Sequence, residues 1–206
     1  MFTGLIEEMG AVHSKVPFDG GIAFTVSAQK VFSDLKIDDS IAINGCCQTV
    51  IGIEHGQFTV QSIKETLEKT NFRQLTQGTV VNLERAMLPT QRMGGNFVQG
   101  HINGTATVSS ISHRGENKYV GITLPEALFR YCIQEGSIAI DGVSLTLAHL
   151  EPDTCSAYVS IIPHTWKVTT FGAYTVGQCV NIEIDMLAKM VHQFTQPYHL
   201  AKGNPS

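Results

Sequence analysis

Little of this 206-residue chain is charged, and the charge it has is not basic. Fourteen lysines and arginines face eighteen aspartates and glutamates, for a net charge of −4, and charged residues make up only 16%. Without a basic field nothing holds a phosphate backbone, which excludes nucleic acid as the main partner. Without dense charge the chain is neither a disordered tail nor a charge-rich coiled coil. Its mean hydropathy of +0.05 comes from dispersed apolar residues, and no run reaches the ~20 that a membrane helix needs. The opening segment, Met1 to Glu8, lacks the basic and apolar regions of a signal peptide. Five cysteines without a CxxC spacing form no disulfide frame; both features point to reduced thiols in a cytoplasm. Eight histidines include no i, i+4 pair, so no metal site is expected. Dinucleotide, P-loop and nucleophile-elbow glycine patterns are missing too.

What the chain does have is a repeat. With 43% apolar residues it can bury roughly 70% of its unfolded surface, and it does so with one unit used twice. Ser40-Ile41-Ala42-Ile43-Asn44-Gly45-Cys46-Cys47-Gln48-Thr49-Val50 returns as Ser137-Ile138-Ala139-Ile140-Asp141-Gly142-Val143-Ser144-Leu145-Thr146-Leu147. Lys64 to Leu67, continuing to Asn82-Leu83-Glu84, echoes Pro163 to Trp166, continuing to Asn181-Ile182-Glu183, and Gly4-Leu5-Ile6 answers Gly100-His101-Ile102. A period of nearly a hundred residues occurring twice predicts two homologous domains. We place them at residues 1–96 and 97–184, with Leu88 to Gly95 as the linker and 185–206 as a tail. Short β-branched runs alternate with period two. Turn residues such as Asn44-Gly45 and His55-Gly56 separate them, which predicts closed or nearly closed antiparallel barrels. In the tail, Asp185 reads as an N-cap. Met186, Leu187, Met190, Val191 and Phe194 recur at helical spacing until Pro197 closes the pattern. That stripe packs either on its own barrel or on another subunit.

Differences between equivalent positions are the candidates for chemistry. Cys47 stands against Ser144, so one half carries a potential thiolate nucleophile and the other a hydrogen-bonding hydroxyl; the alternative is that Cys47 is a small buried apolar residue. Cys46 alternates with Cys47 and faces the other side of the strand. His101, opposite an ordinary Leu5, is of the residue type suited to proton transfer, or is a structural hydrogen-bonder. Asp141 and Ser144 flank a turn. Thr49, Thr66, Thr146 and Thr165 recur in both halves, and paired hydroxyls suit a polyhydroxylated ligand.

These segments, with Met1 to Glu8, Ile162-Pro163-His164-Thr165 and the collinear order of all of them from Met1 to about Phe194, resemble the riboflavin synthase family of the alpha-chain type. The resemblance implies an all-β fold of two Greek-key antiparallel barrels followed by a C-terminal α-helix. It further implies a homotrimer whose helices meet and whose active sites lie between the N-terminal barrel of one subunit and the C-terminal barrel of its neighbour. The implied reaction is dismutation of two 6,7-dimethyl-8-ribityllumazine molecules to riboflavin and 5-amino-6-ribitylaminouracil, without an added cofactor. Some members associate with lumazine synthase. Family positions tied to activity fall on Phe2, Cys47, His101, Ser144 and Asp185. The N-terminal pocket would comprise Gly4, Leu5, Ile6, Ser40, Cys47, Gln48, Thr49, Gln61, Ser62, Ile63, Lys64, Glu65 and Thr66. The C-terminal pocket would comprise Gly100, His101, Ile102, Glu135, Asp141, Ser144, Leu145, Thr146, Ser160, Ile161, Ile162, Pro163, His164 and Thr165. The chain departs from the pattern at Asn96, where histidine is usual, at Glu135, where lysine is common, and at Gln48 and Trp166, which replace aliphatic residues. A relative of another class, a non-catalytic lumazine- or flavin-binding antenna of the same fold, is the second reading.

Overall fold

The computed structural model describes the backbone of residues 1–201 and the side chains through Thr195. Residues 202–206, which include the polar Gly203-Asn204-Pro205-Ser206 end, lie outside the described residues. The first half folds as β1 (Glu8–Phe18), β2 (Gly21–Ser27), β3 (Ser40–Ile43), β4 (Cys46–Glu54), β5 (Gln57–Ile63), the short helix α1 (Lys64–Lys69) and β6 (Val80–Arg85). The second repeats this with β7 (Gly104–Arg114), β8 (Asn117–Thr123), α2 (Glu126–Phe129), β9 (Ser137–Ile140), β10 (Val143–Glu151), β11 (Ser156–Ile161), α3 (Pro163–Val168) and β12 (Cys179–Ile184), and ends in α4 (Met186–Ala201). No helix among the described residues is long and apolar enough to cross a membrane.

Each half closes into a six-stranded antiparallel barrel, in the order β1-β2-β5-β4-β3-β6 and its equivalent β7-β8-β11-β10-β9-β12. Hairpin-linked β3, β4 and β5 lie side by side and β2 returns beside β5, which is the Greek-key arrangement. Closure needs bent strands, and the bends are bulges placed alike in both barrels. They fall at Val12/Ser14 and Val50/Gly52 in the first, and at Val108/Ser110 and Leu147/His149 in the second. The two-residue turns Asn44-Gly45 and Asp141-Gly142 hold positive φ at both positions, which suits the strand twist. Alternation fills each interior with one side chain in two, among them Phe24, Ile41, Ile43, Val50, Phe58 and Leu83 in the first and Val120, Ile138, Ile140, Leu147, Val159 and Ile182 in the second. One pair departs from symmetry. Ser62 donates from Oγ to Gln48 Oε1 at 2.7 Å inside the first barrel, where the second has Ile161 and Leu145. Gln48 thus replaces an aliphatic residue because a buried hydroxyl is there to meet it.

The two barrels meet through a buried seam of amides with pseudo-two-fold symmetry. Asn82 accepts the Thr170 N–H on Oδ1 and donates from Nδ2 to the Asp141 carbonyl. Asn181 accepts the Asn71 N–H and donates to the Asn44 carbonyl. At the turn positions, Asn44 Oδ1 takes the Asn82 N–H at 2.8 Å, and Asp141 Oδ1 takes the Asn181 N–H at 2.8 Å. A β-carbon on Gly45 would stand 2.5 Å from the Gly142 nitrogen, so the turns touch backbone to backbone.

Two expectations are corrected here. The helix does not close at Pro197 but runs to Ala201; proline removes one backbone donor, yet its fixed φ is itself helical. Asp141, assigned above to ligand binding, is fully enclosed in the seam, where Tyr174 Oη donates to its Oδ2 at 2.5 Å and Asn71 and Asn181 donate to its Oδ1.

Burial pushes the Asp141 carboxyl from its usual 3.8 up to about 7, against the pull of the Tyr174, Asn181 and Asn71 donors. Between these values the folded chain holds a proton that the unfolded chain has lost. Stability therefore falls as pH rises from about 4 to about 7 and levels off above, by at most about 4 kcal/mol at 1.4 kcal/mol per unit. Asp141→Asn, which copies the first barrel's Asn44, should fold and flatten that slope. Denaturant midpoints between pH 4 and 8 measure it, and an unchanged slope would assign the titration elsewhere.

Candidate active site

The segments preceding each barrel do not stay with the barrel they precede. Gly100-His101-Ile102 lies on the first barrel: the Gly100 carbonyl accepts the Cys47 N–H at 2.9 Å, and Ile102 is buried in the first core. Gly4-Leu5-Ile6 lies on the second: the Gly4 carbonyl accepts the Ser144 N–H at 2.9 Å, and Ile6 packs on the second core. The grouping expected from the sequence is therefore exchanged. Gly4 to Ile6 belong with Ser144, and Gly100 to Ile102 with Cys47. The physical reason is the seam, which brings the start of each half to the turn end of the opposite barrel. Both glycines have positive φ, 77° and 81°. A β-carbon on Gly100 would come within 2.6 Å of the Cys47 β-carbon, and one on Gly4 would strike that of Ser144. Only glycine lets the segments lie this close.

A hollow of about 250 Å³ opens where this segment crosses the first barrel. It is lined by Cys46, Cys47, Glu65, Thr66, Lys69, Thr70 and Gly100 to Ile102. Strand β4 presents Cys47 and Thr49 on one face and Cys46 and Gln48 on the other, the latter two buried. Burial pushes the Cys46 thiol to about 12, which leaves it inert at neutral pH. Cys47 is half-buried, Thr66 sits in the first turn of α1, and the His101 side chain is exposed. Thr49 pairs with Ser40 across β3 and β4, as Thr146 does with Ser137 across β9 and β10. At the equivalent place in the second barrel, Ser144 Oγ accepts from Asn96 Nδ2 at 2.6 Å. The departure at Asn96 thus supplies a direct partner to the hydroxyl.

Other candidates occupy supporting places. Phe2 is fully buried, bridges Val98 backbone to backbone, and packs with Cys47, Ala42 and Ala139 under the crossing segments. Asp185 accepts the Leu187 N–H at 2.8 Å as the cap of α4 and lines a separate cleft of about 490 Å³ between α4 and the second barrel. Glu65 and Lys64 open α1; Pro163, His164 and Thr165 open α3. Gln61 and Ile63 are exposed on β5, and Ser160 is exposed on β11 beside the buried Ile161. Glu135 is exposed at a turn of positive φ, 62°.

Two carboxylates that the sequence marks only as members of a repeated triplet, not as site residues, hold the crossing segments down. Glu84 accepts the Thr3 N–H at 2.6 Å, the Thr3 hydroxyl at 2.7 Å and the Gly4 N–H at 3.0 Å. Glu183, its repeat equivalent, accepts the N–H groups of Gln99, Gly100 and His101 at 2.6, 2.9 and 3.1 Å. Burial raises both carboxyls above the usual range, and these donors pull them back.

Comparison with known proteins agrees with this architecture. The family model described as the lumazine binding domain matches twice, at residues 3–86 and 99–185. The riboflavin synthase of Bacillus subtilis is 42% identical over 94% of this chain and 89% of its own length. That of Actinobacillus pleuropneumoniae is 42% identical over the same shares, and that of Saccharomyces cerevisiae 36% identical over 94% and 85%. Among solved structures, LumP complexed with riboflavin superimposes with a TM-score of 0.82 at 25% identity, covering 89% of this chain and 99% of that one. LumP complexed with 6,7-dimethyl-8-(1′-D-ribityl) lumazine superimposes with a TM-score of 0.80 over the same shares. Two matched lumazine binding domains and near full-length relatives in three organisms make this chain a member of the riboflavin synthase family.

Proposed function

We propose that the chain catalyses the dismutation of two molecules of 6,7-dimethyl-8-ribityllumazine. One gives a four-carbon unit to the other, yielding riboflavin and 5-amino-6-ribitylaminouracil, and the atoms of two substrates equal those of the two products with no co-reactant. The observation that carries this reading is the doubled site: two equivalent sites on one duplicated frame, each completed by a segment from the other half. Two copies of one molecule in different roles need such a frame with local differences, and Cys47 against Ser144 is that difference.

The C7 methyl protons of the lumazine are acidic because their carbanion delocalises into the ring. His101, at the rim of the Cys47 hollow, takes such a proton. Ser144 and Thr146 polarise the ring held on the second barrel, and Cys47, or a water it orients, adds to C7 of the second lumazine. The two rings meet between the N-terminal barrel of one subunit and the C-terminal barrel of a neighbour in a trimer. The face of α4 supports that assembly, since Val191 and Phe194 are 63% and 67% exposed in the single chain and apolar stripes of this kind are normally covered.

Purified protein mixed with the ribityllumazine should develop riboflavin's green fluorescence; binding without turnover would select the non-catalytic binding role instead. Cys47→Ser should lower turnover, and full turnover with unchanged lumazine binding would leave water as the nucleophile. His101→Gln should slow C7-methyl exchange in deuterated water by about 10²-fold or more; an unaltered rate excludes it as the base. Val191→Glu with Phe194→Glu should shift the sedimenting species from trimer to monomer and abolish turnover, whereas an intact trimer would refute the role of α4.

A further inference from the structure

Each buried glutamate stands on one barrel and acts on the site of the other. Glu84 is the next-to-last residue of β6 in the first barrel, yet the segment it grips, Thr3-Gly4, is the one that accepts the Ser144 N–H of the second. Glu183 is the next-to-last residue of β12 in the second barrel and grips Gln99 to His101, the segment that accepts the Cys47 N–H of the first. Both residues are buried, at 5% and 4% exposure. A buried carboxylate is retained against its desolvation cost only where donors converge on it, and here each has three. All three donors to Glu183 are backbone N–H groups, so the carboxylate fixes the path of the main chain and through it the position of His101. No other buried carboxylate among the described residues bonds the crossing segments.

We infer that Glu84 and Glu183 are crossed positioning residues: Glu183 sets the Cys47 and His101 site on the first barrel, and Glu84 sets the Ser144 site on the second. This deepens the proposed function and rests on its assignment of the two sites. The clamp is charge-specific. Glutamine keeps the length but replaces one acceptor oxygen with an N–H₂ group that points at a backbone N–H. The donor facing it is left unpaired, the segment lifts, and the site of the opposite barrel loosens while that of the same barrel does not. A role in stability alone predicts no such crossing.

The test is riboflavin titration of the full-length protein labelled with ¹⁵N-cysteine and ¹⁵N-serine, read separately at the amides of Cys47 and Ser144. In Glu183→Gln the affinity read at Cys47 should fall about tenfold or more, with that at Ser144 unchanged; Glu84→Gln should give the mirror result. Thr3→Val, which removes the hydroxyl bond to Glu84 and the Leu5 N–H bond to that hydroxyl but keeps both backbone bonds to the carboxylate, gives a milder change at Ser144 alone and keeps the test open should either glutamine variant fail to fold. Equal losses at both amides, or losses in the barrel that carries the altered residue, overturn the crossed assignment. Wild-type protein that binds riboflavin at neither amide overturns the functional reading, and the clamp with it. Wild type binding at both while every variant matches it overturns the clamp alone.

Discussion

The structure depends on four asparagine-type positions at one seam. Asn82 and Asn181 each use both ends of a side-chain amide to bridge the barrels, and Asn44 and Asp141 lock each bridging strand from behind. Every one of these groups is buried, so each unpaired donor or acceptor would cost ~1–3 kcal/mol and the set is formed together or not at all. An apolar seam of the same area would tolerate sliding and rotation. This one accepts a single register, and that register places the start of each half against the turn end of the other barrel.

From that placement the exchanged segments follow. A barrel alone would present Cys47 or Ser144 on an open surface with its strand N–H facing solvent. The crossing Gly100 and Gly4 carbonyls take those N–H groups, and on the first barrel the crossing segment forms one wall of a hollow whose other wall is α1. Each site is thus made of parts far apart in sequence but fixed by one rigid contact, an economical way to obtain precise geometry from short strands. It also explains how the halves diverge in chemistry without diverging in fold. A side chain at position 47 or 144 can change, because the backbone bonds holding its neighbours do not involve it.

The barrels were legible in the sequence because both of their determinants are local. Period-two alternation and the Asn44-Gly45 and Asp141-Gly142 turns announce strands and hairpins, and the duplication shows the same plan used twice. That Cys46 and Cys47 face opposite sides of β4 followed from alternation as well. Which segment serves which barrel was not legible, since adjacency along the chain favours the wrong pairing and only the seam decides it. Asn82-Leu83-Glu84 and Asn181-Ile182-Glu183 stood out as a repeated triplet, but their side-chain partners lie 38 to 137 residues away and leave no mark beside them. Asp141 misled for the same reason: a polar residue next to a glycine turn looks exposed until a second barrel closes over it.

The remaining asymmetry bears on how two sites of one shape acquire different tasks. Ser144 Oγ accepts from Asn96 Nδ2 at 2.6 Å, and an occupied lone pair leaves its O–H free to donate. The hydroxyl is thereby oriented as a donor toward whatever carbonyl or ring nitrogen lies on the second barrel. Cys47 has Gln48 beside it, but that side chain turns inward to Cys46, the Cys47 carbonyl and Ser62, not to the Cys47 sulfur. A thiol without a fixed donor keeps its sulfur lone pairs for an electrophile. The two centres therefore differ in their neighbours: Asn96 reaches the Ser144 hydroxyl, while Gln48 turns away from the Cys47 sulfur, and the proposed reaction uses the first as a hydrogen-bond donor and the second as a soft nucleophile.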